Sequence, residues 1–500
     1  MKQFVFIIFY SFVGYSAVCQ GAWTWMGGSK YANDSGQYFG SYLWPSARGQ
    51  GCHATDSYGN LWVYSVDHNS SDLWMWNGLK WTLKWMPNKY QETGIYPKGR
   101  GIADSTKVPS GRIGCACYID SNSNFYLFGG RSKELKNDFW KFDGMQWFWL
   151  EGDSTSASRS IKNNIPGDRY FPVYWQKDNN FFFFGGYTYN RILADLWMYN
   201  GKKWVYTGSD TVENNKPRYG LQEVPDQKNS PGSRMASAQT MLNNSLLIYG
   251  GATTFHLTSL FDKRSHFWTM NNSNQWIWKG GDRDTYSARC FYKQSHCDVG
   301  PGSRSANSIW ATPTQKMFLY GGSLYGGHPI ASSSLTSDLW VYENGNWHFV
   351  GQSNSHHGEV GKSDSSNWPG YRSSAINWID DDGNLWLFGG YGYDADSNLG
   401  YLNDLWKFTP DTNFTISKKE PVEQQLNVYP NPVQNQINIQ LQESAKSQHI
   451  RIFNTQGKIV WQQKPENDLV QVSTNNWPKG LYILQMHSAL GVVEKKIVVK

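Results

Sequence analysis

The apolar positions along this 500-residue chain fall into short runs that return in the same order six times. Each copy opens with a Pro/Gly-rich approach to an arginine and a weakly apolar stretch of small residues, such as MASAQTML at 235–242. A continuous apolar run follows and in most copies ends in Gly-Gly, as in NFYLFGG at 124–130 and NFFFFGG at 180–186. Apolar runs of this length, bounded by turn residues, fit strands buried on both faces. Asp-Leu-Trp opens a third segment, and a glycine turn (Asn77-Gly78, Asp143-Gly144, Asn200-Gly201) leads to a fourth carrying Trp81, Trp147 or Trp204. Polar clusters at 120–124 and 380–384 separate the first two segments and read as tight hairpin connections. Each copy therefore predicts four short antiparallel strands.

The arginines that open the copies are Arg48, Arg112, Arg169, Arg234, Arg304 and Arg372, spaced by 64, 57, 65, 70 and 68 residues. Self-similarity on this scale marks a repeat architecture, and four-stranded sheets repeated around a ring make a β-propeller, which protects sheet edges by radial repetition. The Gly-Gly followed by a distant aromatic strand resembles the kelch repeat, the unit of the kelch and galactose-oxidase-like propellers, over residues 21–410. The resemblance implies an all-β fold: a six-bladed kelch-type β-propeller. Copy one carries Tyr64-Ser65-Val66 where Gly-Gly is expected, and copy four carries His266-Phe267-Trp268 in place of Asp-Leu-Trp, so local irregularity is expected there. Copy six stops after DLWKF at 404–408, while AWTWMGG at 22–28 matches the fourth-strand segments QWFWLEG at 146–152 and QWIWKGG at 275–281. The N-terminal strand is expected to complete the last blade and close the ring.

Outside the repeats the pattern changes. Lys2, an apolar run at 4–13 and small residues before Gln20 read as a secretory signal peptide over 1–19, too short to anchor in a membrane. A lipoprotein cysteine at Cys19 is the alternative. The propeller of 20–410 gives way to a polar linker at 411–425, and from 426 alternating apolar residues with turn signals predict a small β-sandwich to residue 500. Tyr429-Pro430-Asn431-Pro432, Gln456-Gly457-Lys458, Lys479-Gly480-Leu481-Tyr482 and the lysine-bearing last strand resemble the C-terminal sorting domain of the type IX secretion system of Bacteroidetes bacteria. That resemblance implies that the secretion machinery reads residues 426–500. The product would be secreted or attached to surface lipopolysaccharide at the outer membrane.

Cysteine usage fits an oxidising compartment. Cys290 and Cys297 share one long inter-blade loop and are expected to form a disulfide. Cys52, Cys115 and Cys117 follow the arginines of adjacent copies, where small buried residues belong; they read as packed thiols, or one bridge plus one thiol, rather than a metal site. A net charge of +6 without a basic run excludes nucleic acid as an expected partner. The 26 tryptophans sit mostly at repeated core positions, so their abundance is no sign of sugar binding by itself.

Repetition also filters the candidate chemistry, because a group needed in every copy serves the blade. The six arginines are therefore assigned chiefly to inter-blade hydrogen bonding, with a guanidinium ring receiving carboxylates as the alternative. Asp72, Asp138, Asp195, Asp338 and Asp404 are assigned as turn or strand-end acceptors. Asp380, Asp381 and Asp382 read as a hairpin turn before a calcium site. Extra length is loaded onto one face, in segments 87–108, 208–230, 280–300 and 351–368, and loops on a rigid scaffold are where binding concentrates. On that face the loops between second and third strands offer Arg131, Tyr187, Tyr189, Arg191, His256, Tyr325, His328, Tyr391, Tyr393 and Asp394. Such groups suit a glycan or protein ligand, or else pack the loops together. A copper oxidase would need converging tyrosines and histidines, whereas His256, His328, His356 and His357 lack a ligand spacing. A metal-free sugar isomerase or lyase rests on fold analogy alone. No catalytic residue, metal or cofactor is assigned. The expected function is an exported binding protein.

Overall fold

The computed structural model describes residues 21–411 and 426–500, apart from 67–70, 88–93, 98, 103–106, 154–164, 190, 209–215, 254–263, 282, 284–299, 325–334, 442–446, 455–458, 466 and 489–490. The signal-peptide segment, Cys19, Cys290, Cys297, His256, Tyr325, His328 and nearly all of the linker lie outside the described residues. Among the described residues every named element is a strand. The chain divides into two compact units, Met1–Pro410 and Asp411–Lys500.

In the first unit each of the first five sequence copies forms a four-stranded antiparallel sheet with its strands in chain order, the fifth adding a small pair, Arg304–Ser305 with Ser323–Leu324. The second copy, for example, comprises Ala116–Ile119, Phe125–Arg131, Leu135–Phe142 and Trp147–Glu151. Copies one and four keep the same order despite their altered motifs. In the sixth sheet, Gly21–Gly27 pairs with the long strand Leu399–Pro410, with Trp23 opposite Phe408 and Trp25 opposite Trp406. Trp23 is buried there against Tyr320, Trp368, Trp406 and Phe408. The first strands of successive sheets are neighbours, and Ile376–Ile379 of the sixth adjoins Cys52–Thr55 of the first.

Two sets of backbone hydrogen bonds link the sheets. Two residues beyond each arginine, the N–H donates to the equivalent carbonyl of the preceding copy, at 2.7–3.1 Å: Gly114 to Gln50, Phe171 to Gly114, Ala236 to Phe171, Ala306 to Ala236, Ser374 to Ala306, and Gln50 to Ser374. The last donor, Gln50, is the first acceptor, so the bonds run in a circle. All six residues are left-handed, with φ of 52–62°. That is an uncommon conformation for the five that are not glycine, held here by repetition of the same turn. In the second set, the N–H of the second glycine of each Gly-Gly donates to the carbonyl of the next copy's arginine, from Gly130 to Arg169 onward and finally from Gly390 to Arg48, at 2.8–3.0 Å. The first glycine of the pair is required too: a Cβ on Gly250 would stand 2.3 Å from the Arg304 carbonyl oxygen, and one on Gly389 would stand 2.5 Å from that of Arg48.

The second unit packs a three-stranded sheet (Leu426–Tyr429, Gln436–Leu441, Leu469–Ser473) against a four-stranded one (Ser447–Asn454, Ile459–Gln463, Gly480–Ser488, Gly491–Val499). Alternation does the work: in QINIQL, Ile437, Ile439 and Leu441 turn inward to meet Ile450, Ile452, Leu484 and Ile497.

Candidate binding face

The repeated charges are consumed inside the blades. In copies two, three, five and six the guanidinium meets the Asp-Leu-Trp carboxylate at 2.5–2.8 Å, in Arg112–Asp138, Arg169–Asp195, Arg304–Asp338 and Arg372–Asp404. Arg48 and Asp72 pair likewise in the first. The tryptophan two residues on donates its indole N–H to the same carboxylate at 2.7 Å from Trp140, Trp197, Trp340 and Trp406. The arginine also donates to the first glycine's carbonyl at 2.9–3.0 Å in every copy that has Gly-Gly. These contacts lie within one blade, so inter-blade bonding belongs to the arginine backbone and not, as expected, to its side chain. The side chains are buried, which also removes the guanidinium ring as a receptor for external carboxylates. The aspartates are core ion-pair partners rather than turn acceptors. Burial alone would push the Asp138 carboxyl up; Arg112 and the hydrogen bonds from Trp140 and Tyr96 hold it below the usual carboxylate range.

The long blade-to-blade loops prove to be partly structural too. Bridges Gln37–Trp44, Ile95–Val108, Arg218–Ser230 and His356–Trp368 fold four of them back on themselves. In each, the residue after the first bridge position reaches the third-strand polar group: Tyr38 donates to Asp72 at 2.6 Å and Tyr96 to Asp138 at 2.7 Å. Tyr219 lies 2.8 Å from His266 Nε2, and His357 Nε2 lies 3.2 Å from Asp404. The sequence carried only a faint sign of these caps, one tyrosine or histidine ten to sixteen residues before the arginine. Ser355 Oγ stands 3.4 Å from His357 Nδ1, so serine, histidine and aspartate form a chain. Asp404 is already held by Arg372 and Trp406, however, and this chain reads as a plug rather than a nucleophile.

What remains is the region where the residue after Gly-Gly pairs with the residue after the arginine that opens its own copy, beside the circle of hydrogen bonds. Ile113 pairs with Arg131 and Tyr170 with Tyr187. The Arg131 guanidinium lies 5.9 Å from the Tyr170 ring centre, within cation–π range. Tyr170 meets Tyr187 edge-on at 5.3 Å and Phe171 at 4.8 Å. Burial raises the Tyr170 hydroxyl above its ordinary value and keeps it a neutral donor, outweighing the opposing pull of Arg131. Tyr189 and Arg191 are exposed at the tip of the hairpin formed by the blade's second and third strands, the second carrying Tyr187. Tyr170 and Phe171 were not singled out from sequence, although copy three alone has an aromatic pair directly after its arginine.

The other expected residues that are described, Tyr391, Tyr393 and Asp394, make different contacts. Tyr391 packs edge-on against Tyr401 at 5.3 Å, the loop-packing role. The N–H of Tyr393 bonds the Tyr371 carbonyl. Asp394 is buried and accepts from the backbone N–H groups of Ala32, Asp396 and Asn398 at 2.8–3.0 Å, so its place among the ligand-binding residues is corrected to that of a turn-former. Asp380 likewise accepts from the N–H groups of Asp382 and Asn384 and from the Trp386 indole, the hairpin role. On the opposite face, Lys177, Asp178, Asn244, Asn272 and Asn274 line a polar cleft of about 370 Å³ between the third and fourth sheets.

Two family models match segments of the chain, one in each unit. Residues 99–269 match the KLHDC2/KLHL20/DRC7 kelch-repeats domain, and residues 427–500 match the secretion system C-terminal sorting domain. A probable serine/threonine-protein kinase of Dictyostelium discoideum is 30% identical over 161 residues; the match spans 30% of this chain and only 11% of the kinase. The solved structure of YjhT aligns with a TM-score of 0.46 and 13% identity, over 74% of this chain and 97% of YjhT. No helix among the described residues is long and apolar enough to cross a membrane. The chain carries a kelch-repeat domain and a secretion system C-terminal sorting domain, the latter a mark of type IX export to the cell surface or beyond.

Proposed function

We propose that the propeller is a binding protein, delivered outside the cell by its sorting domain, which takes a glycan or protein ligand on its long-loop face at the Arg131–Tyr170–Tyr187 group. The carrying observation is the contrast between groups. The recurrent arginines, aspartates and tryptophans are locked into buried pairs, whereas Arg131, Tyr189 and Arg191 are exposed at positions where the copies differ. Aromatic edges beside guanidinium donors suit sugar hydroxyls or a peptide backbone. Attachment to surface lipopolysaccharide after sorting is part of the same proposal. The ring of six sheets, closed by the N-terminal strand, serves as the rigid scaffold on which this site is held.

The full chain should be screened against arrayed glycans and purified surface proteins, alongside Arg131→Ala and Tyr187→Ala. A ligand retained by the parent and weakened by both variants supports the reading. Binding that is indifferent to both, or turnover of a sugar by the parent, would sink it.

A further inference from the structure

Three cysteines depart from the repeat, and the fold brings all three to one place. Cys52 opens the first strand of the first sheet (Cys52–Thr55), Cys117 lies in the first strand of the second (Ala116–Ile119), and Cys115 directly precedes that strand. These two strands are neighbours across the sheet-to-sheet junction. Because side chains alternate along a strand, Cys115 and Cys117 face the first sheet while Ala116 faces the third. Cys52 thus packs in the same buried cluster as both of these thiols. All three are buried, at 0–2% exposure, in one apolar cluster with Trp62, Tyr64 and Phe125. No other copy has cysteine at these positions.

The junction itself is unusual. The other five junctions carry a Gly-Gly whose second N–H bonds the next arginine's carbonyl; between the first and second sheets the sequence has Tyr64-Ser65 instead. The chain also carries an export signal, and thiols held this close in an exported protein meet oxidising conditions.

We propose that Cys52 is cross-linked to Cys115 or Cys117 in the exported protein, a disulfide that staples the first sheet to the second at the junction without Gly-Gly. In the reaction two S–H bonds are lost and one S–S bond forms. The two protons and the electron pair pass to the disulfide of a thiol-oxidising protein, whose S–S bond breaks and whose two sulfurs become thiols. Either bond uses Cys52, so one thiol always remains. It can attack the existing bond and exchange one linkage for the other. Burial pushes all three thiols up, Cys117 to about 11, which suppresses the thiolate once the sheets have docked. The bond therefore forms before the junction closes and is shielded from reductants afterwards. The proposal is independent of the ligand-binding reading.

The test uses full-length protein purified after export without reductant, denatured and alkylated before and after reduction, then mapped. The expected result is a peptide carrying Cys52 joined to the peptide carrying Cys115 and Cys117, with one of these three thiols alkylated from the outset. Cys52 alkylated in full without reduction would overturn the proposal. Stability supplies a second readout that does not depend on mapping. Prior reduction should lower the thermal midpoint of the parent, and the part of that shift due to this junction should vanish in Cys52→Ser and in the double variant Cys115→Ser/Cys117→Ser. Each single variant, Cys115→Ser or Cys117→Ser, should keep it through the other cysteine. An identical shift in the parent and Cys52→Ser would count against the bond.

Discussion

In the fourth blade the guanidinium of Arg234 faces the imidazole of His266 at 3.4 Å, where the other five blades present an aspartate. Everything around the pair is otherwise kept: Arg234 still donates to the Gly250 carbonyl, and Tyr219 still caps the third-strand group. The missing carboxylate shows in the electrostatics. Burial and the charge of Arg264 pull Arg234 down to about 9, whereas Arg112, equally buried, is raised by Asp138. The Trp268 indole N–H, whose counterparts Trp140, Trp197, Trp340 and Trp406 donate to aspartate, is buried without an acceptor.

Restoring the repeat should therefore stabilise the fourth blade. His266→Asp supplies an acceptor to Arg234, Trp268 and Tyr219 together, and hydrogen bonds to a charged group each contribute about 1.5–3 kcal/mol. After the cost of burying the new carboxylate, a net gain of about 1–2 kcal/mol in urea unfolding is expected. A variant less stable than the parent would show that His266 is needed for itself.

Removing a carboxylate elsewhere should do the reverse. Asp138→Asn leaves the Arg112 charge buried without its counter-ion, and breaking such a pair costs about 3–5 kcal/mol. The same change at Asp338 should cost a similar amount, since both pairs are fully enclosed. Denaturation of the two variants beside the parent checks this, and a loss under about 1 kcal/mol would argue against the ion pairs as core elements.

Acid should unfold the propeller through the same groups. Asp138 and Asp404 are held below the ordinary carboxylate range: burial opposes this, and the paired arginine with its hydrogen bonds prevails. A depressed folded value means that the unfolded chain takes up protons first. The stabilisation is then complete above about pH 4, the unfolded value, and is lost as pH falls through the folded value. Thermal midpoints should change little between about pH 7 and 5 and drop below about pH 4. Asp138→Asn, already lacking one pair, should fall less steeply.

The second backbone linkage can be probed by adding one methyl group. Gly250→Ala places a Cβ 2.3 Å from the Arg304 carbonyl oxygen at φ 70°, and should cost at least about 2 kcal/mol from clash and left-handed strain together. Gly144→Ala, at φ 97° with nothing within 4 Å, isolates the conformational part and should cost about 1 kcal/mol. Equal losses at the two sites would remove the argument from close approach.

Closure by the N-terminal strand has its own test. Trp23→Ala empties a site enclosed by Tyr320, Trp368, Trp406 and Phe408, and should cost about 3–5 kcal/mol. Deleting residues 21–28 should lower the midpoint further, because it also strips the pairing from Leu399–Pro410. A deletion variant that melts with the parent would dismiss the clasp.

Much of this protein is written locally. Strand segments, hairpin turns and the Gly-Gly positions follow from period, turn chemistry and apolar run length, which act over a few residues. The repeat supplies the rest of the blade plan, and the match between 22–28 and the fourth-strand segments identifies which terminus completes the sixth copy. The alternation in 436–441 likewise predicts its inward face. The sequence by itself determined these features because each depends on neighbours along the chain. It also determined that recurrent charges serve the fold, since repetition is visible without coordinates.

Only the tertiary structure decided which partners those charges choose. The Arg112 side chain turns to Asp138 in its own blade while the Arg169 carbonyl reaches back to Gly130, a division between side chain and backbone that no spacing reveals. Asp394 and Tyr391 looked available in the string and are spent on turn and packing contacts, whereas Tyr170 and Phe171 gain their place beside Arg131 from a bridge across the blade. Cys52 meets Cys115 and Cys117, 63 and 65 residues away, because two inner strands become neighbours around the ring. Such contacts depend on how the sheets are arranged in space. Buried polar groups take whichever partner the packing brings within reach, and that choice is made by the assembled ring rather than by the neighbouring residues.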